Sequence, residues 1–199
     1  MLKKKWLEWA LARIARLVPV LAAAALVGCA DNYPWPRDWP ALPENSLQAG
    51  CPRLDGLYAN RGEKTVRPVY DIDSELSQQL LRVSPKTRGA RVQLRQATPD
   101  VLEVVVLEAD GQEFRRETLL SNRGDFECKA GTLWLREVTT VMKDGTGIGR
   151  NTTRFGLSVA ADGTLAGQQK MFAAGAVAWL VPIVQTMDSW YRWDKVGMR

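Results

Sequence analysis

The 199-residue chain contains no histidine. That absence excludes Ser-His-Asp and Cys-His nucleophile arrangements. It also excludes the usual histidine-bearing zinc sites. Cysteine is scarce, with three in the chain at Cys29, Cys51 and Cys128. Two uncharged apolar runs occur, residues 17–27 and 172–184. Both fall short of the about 20 apolar residues that a membrane-spanning helix needs.

What is present begins with a basic N-terminus carrying Lys3, Lys4, Lys5, Arg13 and Arg16, followed by the first apolar run and then Leu26-Val27-Gly28-Cys29. A positive segment, a short apolar segment and a small residue before a break is the layout of a secretory signal. An ordinary signal shows a small-x-small site before the cut. Here Leu26 is large, Gly28 is small, and a cysteine follows at once. The tetrad resembles the lipobox of bacterial lipoproteins. The resemblance implies cleavage before Cys29, a diacylglyceryl group on its thiol and acylation of the new amino terminus. Residues 1–28 are then a signal peptide and Cys29 is a lipid anchor. In enteric bacteria, Asp directly after the lipidated cysteine favours the inner membrane. Ala30 stands there, with Asp31 one place later. The resemblance therefore implies the outer membrane, facing the periplasm.

Removing residues 1–28 changes the electrostatics. Five cations and Glu8 place +4 of the formal +5 charge ahead of Cys29, leaving +1. A nucleic-acid partner needs a basic patch on the folded domain, and most of this excess is discarded. About 170 residues remain, enough for one domain with its own core. Cys51 and Cys128 remain as an even pair, which in an exported protein predicts a disulfide.

Residues 29–50 form a Pro/Trp-rich tether, with Pro34, Pro36, Pro40 and Pro43 interleaved by Trp35 and Trp39. Proline disfavours helix and sheet, so an extended conformation is expected. The tryptophans serve either as a docking segment for a partner groove or as a spacer resting on the domain or at lipid headgroups.

Residues 51–199 carry the folded domain. Gly56-Leu57-Tyr58 suggests a first strand with Tyr58 turned inward. Residues 73–83 are the one helical stretch, with Asp73 or Ser74 as cap and Leu76, Leu80 and Leu81 on one face. From residue 91 the period becomes two. Asp110-Gly111, Asn122-Arg123-Gly124, Asp144-Gly145 and Asp162-Gly163 mark turns. Strands are expected over 132–142, 151–160, 165–171 and 187–196. The fold class is mainly β, an antiparallel up-and-down barrel or sandwich with one short helix. The early Gly-x-Tyr and the succession of hairpins resemble a lipocalin-type barrel. That resemblance extends to the fold and implies no ligand-binding residue.

Residues 172–184 read either as a core strand plus an apolar segment crossing one barrel end, or as an exposed loop or short helix. The second option would touch a membrane or line a ligand mouth. An apolar patch of this size calls for a partner, so Phe172 and Trp179, with Trp35 and Trp39, are the candidate contact residues. Gly145-Thr146-Gly147-Ile148-Gly149 is flanked by strands, so it is a hairpin loop rather than a phosphate cradle. Asp71 and Asp73 lack the further oxygens calcium needs. Glu103, Glu108, Glu113 and Glu117 stand beside Arg115 and Arg116, a pattern of cross-strand ion pairing. The sequence therefore predicts no catalytic residue, metal or cofactor. It predicts a lipid-anchored envelope protein with a binding or scaffold role and an envelope protein as partner. The alternative is a lipocalin-like carrier of a lipid or apolar small molecule.

Overall fold

Alternation of apolar and polar residues turns every second side chain of a strand into a common interior. A computed structural model describes residues 29–42, 50–65, 74–144, 147–177 and 181–197. The strands are β1 (Cys29–Asn32), β2 (Gly56–Ala59), β3 (Glu63–Lys64), β4 (Arg91–Thr98), β5 (Val101–Leu107) and β6 (Glu113–Leu120). They continue with β7 (Phe126–Lys129), β8 (Thr132–Leu135), β9 (Val138–Asp144), β10 (Gly147–Val159), β11 (Leu165–Val177) and β12 (Val181–Trp193). One short helix, α1 (Leu76–Leu81), precedes β4. The fold is mainly β, built of antiparallel sheets, as the period-two pattern predicts.

One sheet runs β2-β4-β5-β6. The other runs β1-β12-β11-β10-β8-β7, with β3 also paired to β12 and β9 to β10. The described residues divide into two compact units, and β10, β11 and β12 contribute to both. The larger comprises described residues within 32–138, 153–171 and 187–197. The smaller comprises 29–31, 139–152 and 172–186.

The larger unit holds the core. Val92 and Leu94 of β4 face inward with Leu102, Val104 and Val106 of β5. Tyr58 is buried as its strand predicts, and its hydroxyl donates to the Leu54 carbonyl at 3.2 Å. From the second sheet come Leu133, Phe155, Leu157, Leu165, Tyr191 and Trp193. Tyr191 and Trp193 stack with centroids 5.4 Å apart, and Phe155 meets both edge-on. A Cβ on Gly167 would lie 2.7 Å from the Trp193 ring and 2.8 Å from Phe155. The absent side chain there is what lets the rings close on the strand.

The two sheets of this unit join at one corner. Ala59 N–H donates to the Asp194 carbonyl at 2.9 Å, and Val196 N–H donates to Leu57 at 2.7 Å. At the opposite corner β6 passes to β7 through a 3-10 turn, Ser121–Arg123, and α1 lies over the gap. No closed barrel forms among the described residues. The β5–β6 hairpin turns at Asp110-Gly111 as expected, with Gly111 at φ 88°.

Three elements depart from the sequence reading. The helix is shorter than 73–83; Glu75, not Ser74, stands at its N-cap and makes no side-chain cap hydrogen bond, and Asp73 lies outside the described residues. Asn60 caps it from a distance instead. Its side-chain oxygen accepts from Ser77 N–H at 2.9 Å, and its carbonyl accepts from Leu76 N–H at 2.8 Å. The strand expected over 132–142 breaks after Leu135. Arg136 is drawn out because its guanidinium donates to the Arg123 carbonyl at 2.6 Å and the Gly124 carbonyl at 3.0 Å. The last strand begins at Val181, not Met187, and residues 172–177 extend β11. Residues 172–177 and 181–184 are therefore the facing ends of two strands rather than a loop or a helix, and 178–180 lie outside the described residues. Pro182 is the second residue of its strand and is exposed, close to where the strand begins.

Candidate functional site

The Pro-Trp segment does not extend freely from the domain. Tyr33 N–H donates to the Asp188 carbonyl at 3.1 Å, and Ala161 N–H donates to Ala41 at 2.9 Å. Between these ends, Trp39 N–H closes a turn on the Pro36 carbonyl at 3.2 Å. That turn brings the Trp35 and Trp39 rings together edge-on, centroids 5.0 Å apart. Trp35 then meets Trp190 of β12, and its indole N–H donates to the Pro40 carbonyl at 3.1 Å. The Arg192 guanidinium lies 5.6 Å from the Trp39 ring centroid. The turn closes on the Pro36 carbonyl and the aromatic rings fasten it, so residues 33–41 rest on the domain, as one of the two sequence readings expected.

Cys29 is the first residue of β1, which is the hydrogen-bonded neighbour of β12. The residues before it, including the expected signal 1–28, lie outside the described residues. In the same small unit, Phe172 of β11 and Ile183 and Val184 of β12 are exposed. Ile148 of β10 is exposed too, and Val141 of β9 is 68% exposed. Adjacent residues of a strand point to opposite faces. Ile183 and Val184 therefore leave both faces of β12 apolar and open at this point. Gly175 of β11 permits a close approach, since a Cβ there would lie 2.5 Å from the Ile148 carbonyl oxygen. Trp179 lies outside the described residues.

Cys51 and Cys128 are joined as a disulfide, with Cα atoms 5.0 Å apart across a sequence separation of 77. Both pack against the core. The bridge ties the chain ahead of β2 to β7, and hence one sheet to the other.

A cleft of about 180 Å³ opens where α1 covers the gap between the sheets. Leu80, Leu119, Leu135 and Phe155 give it an apolar floor, and Arg82 and Arg136 stand at its rim. Arg136 also pairs with Asp125 at 3.1 Å. The Leu120 N–H, donating to Asp125 at 3.0 Å, holds that carboxyl below the usual range, helped by Arg123 and Arg136.

The chain matches no family model, no curated protein and no solved structure.

The chemistry of the remaining acids is that of held carboxylates. Arg116 pairs with Glu113 at 2.6 Å and also with Glu103, and Arg115 pairs with Glu117. The Thr87 hydroxyl lowers the Glu108 carboxyl, which also accepts the Lys86 and Thr87 N–H groups at 3.1 Å. The cross-strand ion pairing expected around this hairpin is present. Asp71, Asp73, Gly145 and Thr146 lie outside the described residues.

The predicted residues fall in two different units. Trp35 and Trp39 gather on Trp190 in the larger unit, while Phe172 stands in the smaller one with Cys29. The cleft floor was missed, because its residues come from four separated elements. The exposed Ile183-Val184 pair carried a usable signal. Two consecutive large apolar residues in a strand cannot both enter one core.

Proposed function

We propose that this chain is a lipoprotein of the bacterial envelope, anchored through Cys29 to the outer membrane on its periplasmic face. Its role is that of a non-catalytic binding or scaffold module for another envelope component. Leu26-Val27-Gly28-Cys29, following a basic and then an apolar segment, supports the anchor. The Cys51–Cys128 bridge suits an oxidising compartment.

One observation carries the contact role. The interior is filled by packed Tyr58, Phe155, Tyr191 and Trp193, whereas Phe172, Ile183 and Val184 stand in the open. A carrier keeps its apolar surface inside; a contact module shows it. The experiment is Cys29→Ser expressed in a bacterial host, followed by membrane fractionation and intact mass. Loss of the lipid mass and release from membranes is expected. A variant that still carries lipid and sediments with membranes would sink the reading.

The lipocalin-like alternative, a carrier of a lipid or apolar small molecule, draws support from the cleft floored by Leu80, Leu119, Leu135 and Phe155. Native mass spectrometry of protein extracted from membranes tests it. A retained ligand lost on Leu119→Trp would favour the carrier.

A further inference from the structure

Exposed apolar side chains are ordinary when scattered singly and informative when contiguous and uncharged. Sequence from Phe172 through Thr186 contains no charged residue. In the smaller unit its described part exposes Phe172, Ile183 and Val184, and Ile148 of β10 and Val141 of β9 are exposed in the same unit. The strand ends thus lack the wet polar face that an antiparallel sheet in water normally shows.

The position of Cys29 points to what meets these strand ends. β1 starts at that residue with no intervening spacer, and β1 pairs with β12. Cys29 belongs to the same unit as Phe172, Ile183 and Val184. Whatever enters the bilayer does so at the strand beside the apolar ends. A contact held by a covalent neighbour needs little affinity of its own, because its effective concentration is high. Lys143 and Arg150, both exposed in this unit, suit the phosphates of anionic headgroups.

Resting on the anchor at Cys29, we propose that the ends of β11 and β12 lie in the headgroup layer of the membrane that holds the chain. Phe172, Ile183 and Val184 enter the acyl boundary, and Val141 and Ile148 flank them. The lipid is then one of two contacts. It fixes the protein to the bilayer, and the strand ends fix its orientation there.

The test uses the full chain purified with its native lipid and carrying Ile183→Cys labelled with an environment-sensitive fluorophore. Val141→Cys is a second, independent reporter. Cys29 is blocked by lipid and Cys51 is bonded to Cys128, so label goes to the introduced thiol. The protein is placed in vesicles of phosphatidylethanolamine and phosphatidylglycerol, with and without brominated acyl chains. The expected result is blue-shifted emission, relative to the same label on a Cys29→Ser chain in buffer, and quenching by the brominated chains. Water-like, unquenched emission from vesicle-bound protein overturns this inference and leaves the anchor standing. Absence of lipid mass on Cys29 overturns both. A label already shielded in buffer, in a chain that sediments as a dimer, assigns the face to a second copy and overturns the membrane contact.

Discussion

Trp35 meets Trp190 edge to face, with ring centroids 5.3 Å apart and planes at 87°. The contact converts a proline-rich stretch into a strap along β12. Trp190→Ala removes the ring that holds it. The loss of one aromatic pairing and its partial burial should cost about 2 kcal/mol. Thermal unfolding reads the stability. Limited proteolysis reads the strap, with faster cleavage expected between residues 33 and 42.

The Cys51–Cys128 bridge closes a long loop across two sheets. In the chain-entropy account, removing such a closure costs about 4 kcal/mol. Cys51→Ala with Cys128→Ala should lower the denaturant midpoint by a corresponding amount. Alkylation before and after reduction should find both thiols blocked in the native protein.

Gly167 lies under Trp193 and Phe155. Trp193 is fully buried in the core, and Phe155 is buried beside it with only the cleft on its far side. Gly167→Ala should cost about 1–3 kcal/mol through overpacking. Near-ultraviolet circular dichroism should report disturbed aromatic packing while the far-ultraviolet β signal persists.

Asp125 and Asp55 are two of the carboxylates that the fold holds ionised. Leu120 N–H lowers the Asp125 carboxyl, and Gln96 N–H, donating at 2.8 Å, lowers that of Asp55. The folded pKa of each lies below the ordinary 3.8, so the unfolded chain takes up protons first. Their stabilising contribution is complete above that ordinary value and is lost as pH falls through the lower folded values. Melting temperature should therefore fall steeply as pH drops below about 4. Asp125→Asn should start less stable at neutral pH and show a shallower acid slope.

Local signals carried much of the fold. Asp110-Gly111 and Asp162-Gly163 form turns because glycine accepts positive φ, here 88° and 86°. The alternation in Val92, Leu94 and Phe155, Leu157 places those residues inside. What stayed hidden depends on residues distant in sequence. Nothing near Asn60 indicates that its amide caps a helix beginning at Leu76. Nothing around Arg136 indicates that carbonyls at Arg123 and Gly124 will pull it out of a strand. The candidate contact residues Trp35, Trp39 and Phe172 were visible as types, because large apolar groups among prolines or in an uncharged run stand out. Their partners Trp190 and Arg192 were not, since the pairing of β1 with β12 exists only in the folded chain.

The joining of β2 to residues 194–196 also orders events in time. The strand nearest the start of the domain finds one edge partner only after residue 196 has been made. Until then, Tyr58 and Leu57 have an open flank and the aromatic core lacks Tyr191 and Trp193. A chain emerging from the ribosome therefore cannot complete its native core until those residues have emerged. Pairing between such distant segments is also slow, because loop closure precedes any reward. The last strand is thus the step on which closure of the whole aromatic core waits.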